Sequence, residues 1–365
     1  MSRIPRPHHP HHPHHLPSPI TGQTPGQPLA PRAPRAFDPE ALLAANANTP
    51  ASHATPTTAP SLAPVLAPGP YLAGSASTAG TANKPAATPN LASAFDACLQ
   101  AGVHGLCFSP YLDGQGPGTP VTEAQIRARL QVLAPHTRWV RTFSCTDGNE
   151  LIPRIAHQLG LKTLVGAWLG TDTAINQREL EAVIAIARAG HADMVAVGNE
   201  VLLREDLDED TLLAAIQQVQ QALPGVPVGY VDAYYLFELH PRITAACDVL
   251  LCNCYPFWEG CPLDQAIAYM HSMLQRVRAV AGDKPVVVSK TGWPDQGSAF
   301  HGAVPSTEGA MRYFVDTQAW AQQHNIPVFY FSAFDEGWKV GAEGDVGAYW
   351  GLWVRHGVPK FTGQS

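Results

Sequence analysis

Met194-Val-Ala-Val-Gly198-Asn199-Glu200-Val201 begins as a run of apolar residues and then breaks into a glycine, an amide and a carboxylate. An apolar run this short, with no polar residue at alternate positions, predicts a strand covered on both faces, as in a parallel sheet. Working outward from Met194–Val197, seven more runs obey the same rule. They are Gly102–Phe108, Trp139–Phe143, Thr163–Ala167, Val228–Val231, Val249–Asn253, Val286–Ser289 and Val328–Phe331. Helical patterns separate them. Thr122-Glu-Ala-Gln125 is a capping box leading into Ile126, Leu130 and Leu133 on one face. Asn176-Gln-Arg-Glu179 reads as the opening of another helix, and Asp208 or Asp210 precedes the amphipathic run Leu212–Leu223, which stops at Pro224-Gly225. Eight strands that each feed a helix predict an α/β fold, a (β/α)8 TIM barrel over residues 98–362.

Residues 1–90 obey different rules. Of the 34 prolines, 19 fall in residues 1–89, together with His8-His9-Pro10-His11-His12-Pro13-His14-His15 and long stretches of Ala, Thr and Ser. Such a segment buries too little apolar surface to offset the entropy of ordering, so it is expected to be a disordered leader. The six imidazoles suit soft metal buffering better than a catalytic metal site, and a plain low-complexity leader without metal is preferred to either. No signal-peptide core follows the first arginines, which leaves the compartment undetermined, and no run approaches the length of a membrane span. The first 89 residues carry +3 and the remainder −10, giving the net −7, so a nucleic-acid partner is not expected. Seven cysteines show no spacing of a disulfide scaffold or zinc site, and Cys252 and Cys254 read as small buried hydrophobes on one face of a strand.

In a barrel of this kind function gathers at the C-terminal ends of the strands. Those ends read Ser109-Pro-Tyr111, Arg141-Thr-Phe-Ser144, Trp168-Leu-Gly170, Gly198-Asn-Glu200, Asp232-Ala-Tyr-Tyr235, Tyr255-Pro-Phe-Trp-Glu259, Lys290-Thr-Gly-Trp293 and Ser332-Ala-Phe-Asp-Glu336. Aromatic rings stack on the apolar faces of pyranoses, amides and carboxylates take the hydroxyls, and a carboxyl pair cleaves glycosidic bonds. The set therefore predicts a sugar site.

Val197-Gly-Asn-Glu-Val201, Asn253-Cys-Tyr-Pro-Phe-Trp-Glu-Gly260, Ser289-Lys-Thr-Gly-Trp-Pro294, Phe331-Ser-Ala-Phe-Asp-Glu-Gly-Trp-Lys339 and Glu343-Gly-Asp-Val-Gly-Ala-Tyr-Trp-Gly-Leu352 resemble glycoside hydrolase family 17. The resemblance covers residues 100–362 with the motifs in order. It implies a β-glucan oligosaccharide or polysaccharide as partner, and β-1,3-glucan hydrolysis or glucanosyl transfer by a retaining mechanism without metal or organic cofactor. It also implies Glu200 as acid/base, Asn199 on the sugar 2-hydroxyl, Glu336 and Lys339 as supporting residues, Tyr255 beside the nucleophile, and Trp258, Trp293 and Trp338 lining the cleft.

One position departs from that pattern. The family's nucleophile Glu is here Lys290. An ammonium cannot attack the anomeric carbon, and its charge opposes the developing oxocarbenium ion. Lys290 should also favour the ionised form of Glu200, where an acid catalyst needs the opposite. Hydrolysis is therefore expected to be impaired, and the alternative reading is a β-glucan-binding pseudoenzyme. An inverting mechanism would pair Glu200 with Glu259, Asp335 or Glu336 across about 6.5–9.5 Å. A Schiff-base lysine is the third reading, opposed by the charge of Glu200, which should keep the ammonium protonated.

Overall fold

The computed structural model describes residues 90–339 and 343–361. The disordered-leader reading of residues 1–90, with its histidine run, lies outside the described residues but for Asn90.

Eight strands, β1 (Val103–Cys107), β2 (Thr137–Arg141), β3 (Lys162–Ala167), β4 (Met194–Asn199), β5 (Val228–Ala233), β6 (Val249–Asn253), β7 (Val286–Thr291) and β8 (Val328–Tyr330), pair in sequence order. Each is parallel to the next, and β8 closes on β1 through Gly105 and Leu106. The helices α1 (Leu91–Ala101), α2 (Glu123–Leu133), α3 (Ile152–Gln158), α4 (Thr173–Arg188), α5 (Val201–Arg204), α6 (Glu209–Ala222), α7 (Leu236–Leu239), α8 (Pro241–Ala246), α9 (Ala266–Ala281) and α10 (Thr307–His324) lie between or before them. The apolar strand runs are buried because the barrel interior covers one face and the helices the other. Close packing excludes side chains at a strand glycine and at the glycine just after β7. A Cβ on Gly105 would lie 2.5 Å from the Phe329 ring, and one on Gly292 would collide with the Phe331 carbonyl oxygen.

Several local expectations shift. β2 starts and ends two residues before Trp139–Phe143, which places Arg141 at its last position. β4 and β7 extend two residues beyond Val197 and Ser289, so Asn199 and Lys290 are themselves strand residues. Thr122 caps α2 by accepting from the Gln125 amide, but the Gln125 side chain donates to the Pro110 carbonyl at 2.8 Å instead of closing the capping box. Asn176–Glu179 does not open α4. Asp172 caps it, Asn176 lies within the first turns and bonds Gly170, and Glu179 is fully buried. For α6 the cap is Asp208. α1 was not expected. Its Phe95 reaches the Phe314 ring on α10 at 4.9 Å and Phe361 at 5.2 Å, so this helix covers the seam between the last helix and the chain's end. All seven cysteines are free, and Cys252 and Cys254 are both buried with their sulfurs 3.9 Å apart. Among the described residues no helix is long and apolar enough to cross a membrane.

Three register shifts in the sheet fall beside the polar strand ends, between Ala196 and Asn199, between Cys252 and Asn253, and between Val288 and Thr291. Such irregularities re-aim side chains at barrel rims. Glu200 follows with φ 54°, a left-handed conformation that non-glycine residues rarely hold without support from their surroundings.

Candidate active site

The C-terminal ends of β2, β4, β6 and β7 are tied into one hydrogen-bonded floor. Arg141, 1% exposed, donates from Nη1 to the Ser289 carbonyl at 2.7 Å and from Nη2 to Asn199 Oδ1 at 2.8 Å. Asn253 Nδ2 donates to Glu200 Oε1 at 2.8 Å and to Asn199 Oδ1 at 3.3 Å, while its Oδ1 accepts from Ser289 Oγ at 2.8 Å. Glu200 is 2% exposed. This floor fixes Asn199 through its oxygen and leaves Asn199 Nδ2 buried with no hydrogen-bond partner. A buried donor in that state costs roughly 1–3 kcal/mol, which a ligand acceptor would recover.

Lys290 is 1% exposed and its Nζ lies over three rings, Phe331 at 4.5 Å, Tyr255 at 5.6 Å and Phe143 at 5.7 Å. Burial is the first cause that lowers its pKa, to about 8. The charges of Glu200 and Glu343 act against that shift, and those of Lys339 and Arg141 reinforce it. The expectation that Glu200 holds the ammonium protonated is thus only partly met. The cation persists at neutral pH, but desolvation outweighs the carboxylates.

Lys339 forms a buried ion pair with Glu336 at 2.9 Å and rests 4.1 Å from the Phe331 ring centre. Glu343, 7% exposed, is raised above its ordinary pKa by burial, against the attraction of Lys339 and Lys290. Behind Glu200, the fully buried Asp232 accepts from the Tyr230 hydroxyl and from the Ala233 amide at 2.7 Å. Burial chiefly, with the Glu200 charge adding to it, pushes its pKa up to about 8.

The aromatic expectations divide. Tyr255 and Trp258 are partly exposed and pack on Trp350 at 5.5 and 5.8 Å, and Trp338, also partly exposed, meets Tyr111 edge-on at 6.0 Å. The Tyr255 hydroxyl and the Trp338 indole N–H are buried with no hydrogen-bond partner. Trp293 does not line the mouth. It is 1% exposed, donates to the Val304 carbonyl at 3.0 Å, and packs against Phe257 and Tyr313 because α10 and the loop after β7 close over it. The carboxylates weighed as substitutes are held elsewhere. Glu259 accepts from Tyr269 at 2.7 Å and Tyr234 at 3.1 Å, Asp335 pairs with Lys360 at 2.5 Å, and Glu336 with Lys339.

Reasoning from strand ends singled out neither Arg141, Asn253 and Asp232 as site residues nor Glu343. The first three were visible as polar residues closing apolar runs. Glu343 sits in a glycine-rich loop with no periodic signal.

The BtgE/BtgC glycoside hydrolase domain model matches residues 105–351. The chain belongs to glycoside hydrolase family 17. A family 17 β-1,3-glucanosyltransferase from Rhizomucor miehei superposes with a TM-score of 0.65 and 30% identity over 72% of this chain and 96% of that one. An active-site mutant of that enzyme, in complex with laminaritriose, aligns with a TM-score of 0.64. A glucan 1,3-β-glucosidase of Schizosaccharomyces pombe is 32% identical over 255 residues, 64% of this chain and 79% of the relative. The family match runs from β1 to Gly351 and so takes in every strand end described above, Glu343 included.

Proposed function

We propose that this family 17 barrel binds β-1,3-glucan oligosaccharides at the strand ends of β4, β6 and β7, and that Lys290 has disabled retaining hydrolysis there. The binding half is carried by three of the buried donors without protein partners, those that lie in the family's motifs: Asn199 Nδ2, the Tyr255 hydroxyl and the Trp338 indole N–H. Buried polar groups in native proteins are almost always paired, so donors left open within the family's motifs are ones a polar ligand can complete. Sugar hydroxyls suit them, with the partly exposed faces of Trp258 and Trp338 as stacking surfaces. The laminaritriose bound by the Rhizomucor relative supports this choice of ligand.

The catalytic half follows from charge. Retaining cleavage needs Glu200 as proton donor and a second carboxylate about 5–5.5 Å away to attack the anomeric carbon. By family resemblance that second place is position 290. An ammonium there has no lone pair to offer, and it raises the energy of the positive transition state that a carboxylate would lower. Glu259, Asp335 and Glu336 are each occupied by the partners named above, which removes the simplest inverting route.

Titration of laminaritriose into the protein, followed by calorimetry and tryptophan fluorescence, tests the binding half. Saturable binding that is lost in Trp338→Ala is expected. No binding up to millimolar sugar, about the weakest affinity such a site would have, would overturn it.

A further inference from the structure

Lys290 also places a primary amine at the spot from which a family 17 nucleophile approaches C1 of a sugar. C1 of an internal glucan residue is an acetal and inert to amines. C1 of the reducing-end residue is a masked aldehyde. We propose that Lys290 condenses reversibly with the reducing-end aldehyde of a bound β-glucan oligosaccharide to form an imine, making this barrel a covalent binder of reducing sugars. The inference rests on the reading that the barrel mouth holds glucan.

The chemistry balances without any further reactant. The neutral amine's lone pair attacks the open-chain aldehyde carbon, a C–N bond forms, and the carbonyl oxygen takes up a proton as the carbinolamine. The C–O bond then breaks, the hydroxyl leaves as water with a proton from a neighbouring carboxylic acid, and the protonated imine remains. Buried lysines in apolar surroundings react in this way because desolvation frees the amine.

Three features suit Lys290 to the role. It is set among Phe331, Tyr255 and Phe143, whose rings supply the apolar surroundings. Lowering its pKa from 10.5 to about 8 raises the neutral fraction at pH 7 by roughly two orders of magnitude over an exposed lysine. Glu343, 7% exposed and within electrostatic reach of Lys290, is a neighbouring carboxyl that can relay the proton the departing water needs.

The chain has only six lysines, so adducts can be assigned by peptide mapping. The full-length protein is incubated with laminaritriose and sodium cyanoborohydride at neutral pH, and modification at Lys290 is compared with that at exposed Lys162 in the same digest. Binding of laminaritriitol, the reduced sugar without an aldehyde, is measured in parallel by calorimetry. The expected result is modification at Lys290 about tenfold or more faster than at Lys162, suppressed by excess laminaritriitol. If laminaritriitol binds but Lys290 reacts no faster than Lys162, the imine is overturned and the glucan site stands. If neither sugar binds and Lys290 is not modified, both fall. Modification at Lys290 without laminaritriitol binding would support the amine chemistry and overturn the glucan reading. Lys290→Arg should lose the adduct, and the comparison within one protein does not depend on that variant folding.

Discussion

Replacing Lys290 by methionine should change how stability depends on pH in a way no surface lysine would. The folded protein lowers this amine from 10.5 to about 8, chiefly by burial, whereas the unfolded chain restores the ordinary value. Between those two values the unfolded state binds more protons than the folded one, so stability rises with pH. The contribution is fully present above about pH 10.5 and is lost as pH falls through about 8. At 1.36 kcal/mol per pH unit, a drop of this size corresponds to about 3 kcal/mol. The assay is urea unfolding of the protein and of Lys290→Met at intervals from pH 7 to pH 10.5, plotted as the difference in unfolding free energy. Taking the difference cancels the buried tyrosines and cysteines that titrate in both proteins. The changed packing enters the difference only as a constant offset, so the slope is the readout. A difference that climbs by a few kcal/mol in favour of the lysine protein is expected. A flat or falling difference would refute the claim that the ammonium is buried at a net electrostatic cost.

Lys360→Met should cost about 3–5 kcal/mol at pH 7, because it strands Asp295 and Asp335, whose side chains are 5% and 9% exposed, without their shared cation. Burial has already pushed Asp335 up to about 6, so urea unfolding at pH 5, where it takes up a proton, should show a smaller loss. Asn199→Ala removes the orphan donor, and calorimetry should show laminaritriose binding weakened by roughly 5- to 30-fold, about 1–2 kcal/mol.

The barrel was legible because its strands are buried on both faces and therefore read as unbroken apolar runs, and all eight were located within about two residues of their ends. The ends themselves were harder. Asn199 and Lys290 sit in strands that extend past the apolar run into polar residues, held there by register shifts that leave no mark in composition. α1 escaped because it follows directly on the Ala/Pro-rich leader, although Phe95 and Leu99, four residues apart behind the Asn90 cap, were the available signal. Glu179 was read as part of the opening of a helix. Its carboxylate instead accepts from Ser144 Oγ at 2.6 Å and the Cys145 amide at 2.7 Å, tying α4 to the loop after β2, a long-range role that spacing cannot reveal. Trp293 looked like a stacking ring because it sits in a strand-end motif, and only the packing of α10 over it shows that it is core. Glu343 was quoted within a family motif without a role of its own, and its electrostatic link to Lys290 is a long-range relation that spacing does not show.

The most direct test of the account is reducing-end release from laminarin oligosaccharides by this protein and by Lys290→Glu, assayed side by side. No release above background is expected from the protein as it stands, and cleavage by the glutamate variant should rise by about three orders of magnitude or more, as when a missing nucleophile is restored. Comparable cleavage by both proteins would contradict it, since turnover would then run through a carboxylate other than the one position 290 lacks.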